Sequence, residues 1–151
     1  MKAILFDHDG VLADSESVFF STTRDAFRRA GVDLTEDIWA ELYLGGTIRT
    51  KDVALQLGIP AGEVSELIDR RNQIYRRRLR QGVPFLEGVE DLIASLQKRA
   101  RMAIVTGCPR RNLEAIHADN GFLEKFDCIV TADDCLQTKP DPEPYRKAVE
   151  I

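Results

Sequence analysis

The sequence predicts an α/β fold, with a parallel sheet and an all-helical insert after the first strand. Three observations predict it. Short apolar runs at residues 3–6, 102–105 and 128–131 are bounded by polar or turn residues, as buried strands are. Residues 15–80 show helical spacing of apolar side chains and no strand pattern. After that insert, helices and strands alternate, which implies right-handed crossovers and a parallel sheet.

Polar and glycine residues mark where the first strand and the helices of the insert end. Asp7 stops the apolar run that begins at Ala3, and Gly10 indicates a turn directly after it. A helix is expected from Ser15 to Ala30, and Gly31 is placed to end it. Further helices are expected at about 35–43, 47–57 and 61–80. Residues 15–81 are therefore assigned to a helical cap.

The rest of the chain returns to an alternation of helix and strand. Its pattern predicts, in order, a helix over 87–98, a strand over 102–105, a helix near 110–120, a strand over 128–131 and a helix that includes 146–151. Residues 1–14 and 82–151 are therefore expected to form one α/β core around the sheet.

The composition is that of a globular protein and excludes several classes of function. Of the 151 residues, 44% are apolar and 30% are charged, which argues against disorder. The chain has 21 Lys and Arg against 25 Asp and Glu, so a net charge of −4 gives no general attraction to nucleic acid or to an anionic membrane. The apolar run before Asp7 is too short for a secretory signal.

The cysteines indicate the redox compartment. Cys108, Cys128 and Cys135 form no CxxC motif and do not lie at metal-ligand spacing from a histidine. Their odd number also argues against a disulfide framework. We therefore expect reduced thiols, buried or half-buried, in a cytoplasmic protein.

Reactive residue types follow the ends of the predicted strands. The segment 7–10 (DHDG) follows the first strand, Thr106 and Gly107 follow the second, and Lys139 lies beyond the third. In a parallel α/β sheet, ligands bind beyond the carboxyl ends of the strands. Two carboxylates, a hydroxyl and an ammonium group suit a phosphoryl group there, because one carboxylate can attack phosphorus while the second moves a proton. Mg²⁺ would draw the carboxylates and the phosphate together.

These segments closely resemble the motifs of the haloacid dehalogenase superfamily. FDHDGVLADSE resembles its first motif, DxDG, while VTGCPRRN and TKPDPEPY resemble its second and third. The insert directly after the first motif resembles the C1 cap of the β-phosphoglucomutase and phosphoglycolate phosphatase branch. The resemblance covers the whole chain and implies a Rossmann-like parallel sheet core that carries an all-helical C1 cap.

The resemblance implies a role for each matching residue. Asp7 would be the nucleophile that forms an aspartyl-phosphate, and also a ligand of Mg²⁺. Asp9 would be the general acid/base and would bind the metal through its backbone carbonyl. Thr106 would bind the transferring phosphoryl group, and Lys139 would neutralise it together with the nucleophile. The glycines beside these residues would contribute to the substrate site: Gly10 and Gly107.

The insert is expected to select the substrate. Residues 45–49 (GGTIR) resemble the specificity loop of the C1 cap, where Arg49 would meet a distal phosphate or carboxylate. Arg71, in DRRNQIY, is similar to a second basic cap position of the mutases. Phe19 stands where the mutases have a histidine, which favours a phosphatase that uses water as the acceptor.

The resemblance also implies a fourth motif, an acidic pair on a further strand that completes the metal site. The chain ends within the helix before that strand, so we expect a shortened chain that lacks on the order of 50 residues, with a natural short form as the alternative. Asp133 and Asp134 follow the third strand but do not match this motif. Asp7 is then expected on an edge strand, where an exposed edge invites self-association.

The leading hypothesis is a Mg²⁺-dependent phosphatase acting on a small phosphorylated metabolite, such as a sugar phosphate or phosphoglycolate, with neither a nucleic acid nor a membrane as partner. The alternatives are a sugar phosphomutase and a catalytically impaired fragment. A phospho-acceptor receiver domain fits less well, because its acceptor aspartate ends a later strand. His8 and His117 are interpreted as structural or exposed side chains.

Overall fold

The computed structural model describes residues 3–44 and 49–150, which belong to two compact units. The first, which we call the sheet unit, contains Met1–Glu16 and Leu79–Ile151. The second, the helical unit, contains Ser17–Arg78. That the helical unit acts as a cap stays a prediction. None of the helices in the described ranges has both the length and the apolar character needed to cross a bilayer.

The sheet of the first unit is parallel, as the sequence predicts. Its strands are β1 Ala3–Phe6, β2 Arg101–Val105 and β3 Cys128–Val130. They lie in the order β1-β2-β3, so that Ile4 pairs with Met102 and Ala103 pairs with Cys128. Within the described residues β1 is an edge strand, and the carboxyl ends of all three strands lie at one edge of the sheet.

Helices account for most of the remaining chain. They are α1 Ser15–Arg29, α2 Glu36–Trp39, α3 Thr50–Gln56, α4 Ala61–Leu79, α5 Val89–Leu96, α6 Arg110–Ile116 and α7 Glu143–Glu150. A π-helical turn, Ala40–Leu44, continues from α2. The helix predicted near 110–120 already ends at Ile116, because His117 leaves helical geometry. The helix predicted over 47–57 begins at Thr50, and its first positions fall outside the described residues.

Both faces of the sheet are covered by apolar packing. One face carries a cluster of buried side chains: Leu12, Val89, Ile93, Met102, Ile104, Phe122 and Phe126. On the other face, Ala148 of α7 packs with Ala103 and Val105. Alternate side chains of β2 point to opposite faces, which explains how one strand serves both clusters. A strand buried on both sides holds the residues that follow it in a fixed place.

The helical unit has a core of its own that is rich in aromatic side chains. Phe27 is fully buried, and Trp39 stacks on Tyr43 with 4.0 Å between ring centroids. Phe19 packs edge-on against Tyr75 at 5.2 Å. These rings give a small unit much of the apolar area that it can bury.

The three cysteines are free thiols. Cys108 is buried, and Cys128 and Cys135 are half-buried, which matches the burial expected from the sequence. Burial, followed by the nearby negative charge of Asp9, raises the pKa of the Cys108 thiol far above its ordinary value. This thiol is therefore a packing group and not a nucleophile.

Phe27→Ala is expected to lower the free energy of unfolding by about 3–5 kcal/mol, because it leaves a cavity in the core of the helical unit. Urea unfolding followed by far-UV circular dichroism measures the change. Leu55→Ala is the matched control, since Leu55 is 41% exposed and its truncation leaves no cavity. Equal losses in the two variants would contradict the assignment of Phe27 to the core.

Candidate active site

The candidate site of the sheet unit begins at a turn built on one backbone carbonyl. Directly after β1, the carbonyl of His8 accepts hydrogen bonds from the N–H groups of Val11, Leu12 and Ala13, at 3.2, 2.9 and 3.3 Å. Gly10 takes a φ of +70°, which a residue with a side chain rarely adopts. The turn therefore fixes the backbone on either side of the two aspartates.

Asp7 is the exposed carboxylate of the site. Its Oδ1 accepts a hydrogen bond from the N–H of His8 at 2.8 Å and lies 2.9 Å from Nζ of Lys139. The side chain of Asp7 is 46% exposed, whereas that of Lys139 is 22% exposed. A carboxylate that is open to solvent and neutralised by an ammonium group can approach an anionic phosphate.

Lys139 reaches Asp7 from the loop before α7. Glu143 braces that loop by accepting the N–H groups of Leu136 and Gln137, at 3.0 and 2.7 Å. Asp141 accepts the N–H of Glu143 at 2.8 Å, and the ammonium group of Lys139 lies 5.6 Å from the ring centre of Tyr145. Hydrogen bonds within the loop therefore fix the backbone that carries Lys139.

Asp9 is the carboxylate held from several sides. The hydroxyl of Ser15 donates to its Oδ1 at 2.6 Å, and the hydroxyl of Thr106 donates to its Oδ2 at 2.9 Å. Burial alone would raise the pKa of Asp9, but His8 and these hydroxyls outweigh it, so the pKa lies below its ordinary value. Asp9 is therefore ionised in the resting protein.

Thr106 connects β2 to Asp9. Its N–H donates to the carbonyl of Val130 at 2.9 Å, which continues the pairing of β2 with β3. Its hydroxyl accepts the N–H of Cys108 at 2.9 Å and is thereby free to donate its own proton to Asp9. Gly107, between these residues, has open space where a side chain would begin.

The structure brings the four residues expected to be catalytic to one end of the sheet. Lys139 contacts Asp7, Thr106 contacts Asp9, and His8 links the two aspartates. Ser15 was not foreseen as a site residue. A hydroxyl at the start of the first helix, six positions after Asp9, is the signal that could have indicated it.

The donor atoms at this end of the sheet fit Mg²⁺. Within the described residues no group of three or more His, Cys, Asp or Glu side chains could hold a metal. The resemblance implies two donors, the carboxylate of Asp7 and the backbone carbonyl of Asp9. Mg²⁺ ordinarily binds through one or two carboxylates, with waters and substrate phosphate as further ligands. Asp133 and Asp134 are engaged elsewhere, each accepting from Arg110 at 2.7 Å.

The helical unit contains a buried cation. Arg71 is 4% exposed, and its guanidinium lies over the ring of Phe19 at 4.4 Å. It donates to the hydroxyls of Thr23 and Thr50, at 3.4 and 3.1 Å, and no carboxylate pairs with it among the described residues. Burial lowers the pKa of Arg71 below that of a free arginine.

The specificity loop expected at residues 45–49 is described only at its end. Gly45, Gly46, Thr47 and Ile48 lie outside the described residues. Arg49 is 84% exposed on its side chain and lies 3.3 Å from Asp52. An exposed ion pair of this kind contributes little to stability, so Arg49 is open to other partners.

His117 gives the sheet unit a pH-dependent stability. Burial, and then the nearby His8, hold the pKa of His117 at about 4, below the ordinary 6.5. Between these two values the unfolded chain binds a proton at residue 117 that the folded chain does not bind. The free energy of unfolding should therefore fall by up to about 3 kcal/mol as the pH drops through this interval, and this group should have no effect above it.

Urea unfolding of the protein and of His117→Gln, from about pH 7.5 to about pH 4.5, measures this effect. The variant lacks the titrating group, so its stability should depend less on pH. An identical pH dependence in both proteins would contradict the depressed pKa of His117.

Comparison with known proteins agrees with this geometry. The chain is 28% identical over 95% of its length to N-acetylmuramic acid 6-phosphate phosphatase from Pseudomonas aeruginosa, and covers 65% of that protein. It is 30% identical over 99% of its length to a phosphorylated carbohydrates phosphatase from Thermotoga maritima, of which it covers 70%. The crystal structure of CbbY from Rhodobacter sphaeroides in complex with phosphate matches 99% of the chain at 26% identity, with a TM-score of 0.71 and 72% of that chain covered.

The chain thus spans about two thirds of the length of these relatives. Residues 4–151 match the haloacid dehalogenase-like hydrolases as a family. This match includes the DxDG turn, the threonine after β2 and the lysine before α7. On this ground the chain belongs to the haloacid dehalogenase-like hydrolases.

Proposed function

We propose that the protein is a phosphatase that hydrolyses a small phosphorylated metabolite of the sugar phosphate or phosphoglycolate type. The observation that carries this proposal is the pair of aspartates, one exposed and ion-paired to Lys139, the other ionised and hydrogen-bonded to Thr106. The relatives named as phosphatases of phosphorylated sugars support it.

In the proposed reaction Asp7 is the nucleophile. Because Asp9 is ionised in the resting protein, it first takes up the proton of the bound phosphate monoanion. A carboxylate oxygen of Asp7 then bonds to phosphorus while the bond from phosphorus to the ester oxygen breaks, and the leaving oxygen takes that proton from Asp9. Water then attacks the phosphorus of the aspartyl-phosphate, Asp9 accepts the proton of that water, and inorganic phosphate leaves. When the phosphate leaves with this proton, Asp9 returns to the ionised form of the resting protein.

The neighbouring groups stabilise charge during both steps. Lys139 neutralises the nucleophile and the transferring group, and the hydroxyl of Thr106 and the backbone around Gly10 and Gly107 contact the phosphate oxygens. Mg²⁺, held by Asp7 and by the backbone carbonyl of Asp9, would screen the repulsion between the carboxylates and the phosphate when bound.

Arg71 and Arg49 would recognise an anionic or polar part of the substrate away from the phosphoryl group that is transferred. A buried guanidinium that no carboxylate neutralises among the described residues is costly, and a bound anion would compensate it. Phe19 packs beneath the same guanidinium where a mutase would carry a histidine. A ring with no proton to transfer favours hydrolysis over phosphoryl transfer between two positions of a sugar.

A cytoplasmic location is proposed on the free thiols, which suit a reducing compartment. The β1 edge is proposed as a site of self-association, since within the described residues β1 pairs only with β2. Light scattering of the purified protein would reveal self-association as a mass above that of one chain.

Asp7→Asn should abolish phosphate release, by on the order of 10³-fold or more, because an amide cannot form the aspartyl-phosphate. The assay measures phosphate released from a panel of small phosphomonoesters, with Mg²⁺ and with a chelator. Asp119→Asn removes the same charge from an exposed position of the sheet unit and should leave turnover unchanged. Turnover by Asp7→Asn, or none by the unaltered protein with Mg²⁺, would contradict the proposal, and the second result would favour an impaired fragment.

Arg71→Met should raise KM about tenfold or more for substrates that carry an additional anionic group, with a smaller effect on kcat, because the arginine binds a part of the substrate that does not react. Arg77→Met is the matched control, since Arg77 is an exposed residue of the same helix, α4. Equal KM values for Arg71→Met and Arg77→Met would remove Arg71 from the substrate site.

A further inference from the structure

Two buried histidines connect the site to the end of α6. They are the only histidines in the chain, and His8 and His117 are 0% and 5% exposed. Their Nε2 atoms lie 2.8 Å apart, with the two rings nearly perpendicular. Because a hydrogen bond between two ring nitrogens needs one donor and one acceptor, one ring must carry its proton on Nε2 and the other must not.

The amide of Asn120 lies against the outer ring nitrogen of His117. Its Oδ1 accepts the N–H of Phe122 at 3.0 Å, which fixes the orientation of the amide. Nδ1 of His117 lies 3.1 Å from Nδ2 of Asn120, which can only donate, and 3.3 Å from Oδ1, which can only accept. The amide therefore fits either tautomer of His117, and the direction of the hydrogen bonds depends on what His8 faces.

The position of Asp9 decides which histidine donates. Nδ1 of His8 is buried without a hydrogen-bond partner and lies 3.6 Å from Oδ1 of Asp9. That distance is longer than a hydrogen bond, so the two groups interact through charge and dipole. A lone pair aimed at the carboxylate would repel it, whereas an N–H attracts it. The ring of His8 must therefore carry its proton on Nδ1, so its Nε2 accepts from Nε2 of His117, and Nδ1 of His117 accepts from Nδ2 of Asn120.

The ring of His117 is held in place by packing. It stacks on Phe85 and on Phe122, with interplanar angles of 17° and 24°. His8 is fully buried, and the turn fixes its backbone, because three N–H groups donate to its carbonyl. Rotation of the His117 ring would disturb the aromatic packing in the core of the sheet unit.

We propose that His117 and Asn120 are positioning residues, which fix the tautomer of His8 so that its Nδ1–H faces and orients the carboxylate of Asp9. The donors run in one direction, from Asn120 through His117 and His8 to Asp9. The catalytic consequence rests on the proposed function, because it matters only if Asp9 moves protons. The tautomers themselves do not depend on it.

The first test is ¹⁵N NMR of the histidine rings in the resting protein at about pH 8, above the ordinary histidine pKa of about 6.5. With two histidines, the spectrum contains two sets of ring nitrogens. We expect one ring protonated on Nδ1 and the other on Nε2, with a scalar coupling across the hydrogen bond between the two Nε2 atoms. Two rings with the same tautomer, or an Nδ1 proton on His117, would overturn the proposal whether or not the protein is a phosphatase.

The second test reverses the direction of the hydrogen bonds between Asn120, His117 and His8 with one near-isosteric change. Asn120→Asp replaces the Nδ2 donor by an acceptor, so His117 must carry its proton on Nδ1, and His8 must then donate from Nε2. A lone pair of His8 would face Asp9, and we expect both tautomers to exchange in the ¹⁵N spectrum. We also expect kcat to fall by about 10- to 100-fold with little change in KM.

Gln81→Glu is the matched control. Gln81 and Asn120 line the same surface pocket of the sheet unit, so this change adds an equal charge there without a contact to the histidines. It should alter neither the tautomers nor kcat. Unchanged tautomers in Asn120→Asp, or an equal loss of kcat in both variants, would overturn the proposal. Exchanged tautomers with unchanged kcat would show that the tautomer of His8 does not act on Asp9.

Discussion

The parallel pairing of β1 with β2 determines where the reactive side chains lie. Phe6 pairs with Ile104, so the residues after the two strands leave the sheet side by side. Asp9 and Thr106, which are 97 residues apart in sequence, meet at 2.9 Å for this reason. Apolar side chains on both faces of β2 hold the register, and a shift of one residue would reverse which side chains face which cluster.

The backbone of His8 adds a second constraint on the site. Its N–H donates to Asp7, and its carbonyl accepts the N–H groups that close the turn toward Ala13. The backbone of His8 thus positions the carboxylate of Asp7, while the side chain of His8 faces the carboxylate of Asp9. Two neighbouring aspartates therefore lie in different environments, since one is open to solvent and paired with Lys139 and the other is enclosed by hydroxyl donors.

The sequence predicts the parts of this protein that depend on local pattern. The strand over Ala3–Phe6 and the unbroken helical character of the insert follow from the spacing of apolar residues. The rule that the carboxyl ends of parallel strands share an edge predicts the side of the sheet on which Lys139 meets Asp7, and the loop before α7 completes the approach. The pairing of His8 with His117 could not be predicted, because it joins residues 109 positions apart and depends on where α6 ends.

Arg71 shows that some of the missing information was present in the pattern. Counting along α4 from Val64, the buried stripe continues through Tyr75 and Leu79, and position 71 falls on it. A charged residue on an apolar stripe indicates a buried cation. The pattern does not predict the hydrogen-bond partners of Arg71, which are the hydroxyls of Thr23 and Thr50.

In the proposed reaction Asp7 forms a covalent bond to phosphorus. The most direct test of this step is to mix the protein with a phosphomonoester that it hydrolyses, quench with borohydride and sequence the peptides by mass spectrometry. Borohydride reduces an aspartyl-phosphate to homoserine, so we expect homoserine at position 7 and at no other aspartate, and only when substrate is present. Turnover without reduction of Asp7, or reduction at another aspartate, would contradict the proposed reaction.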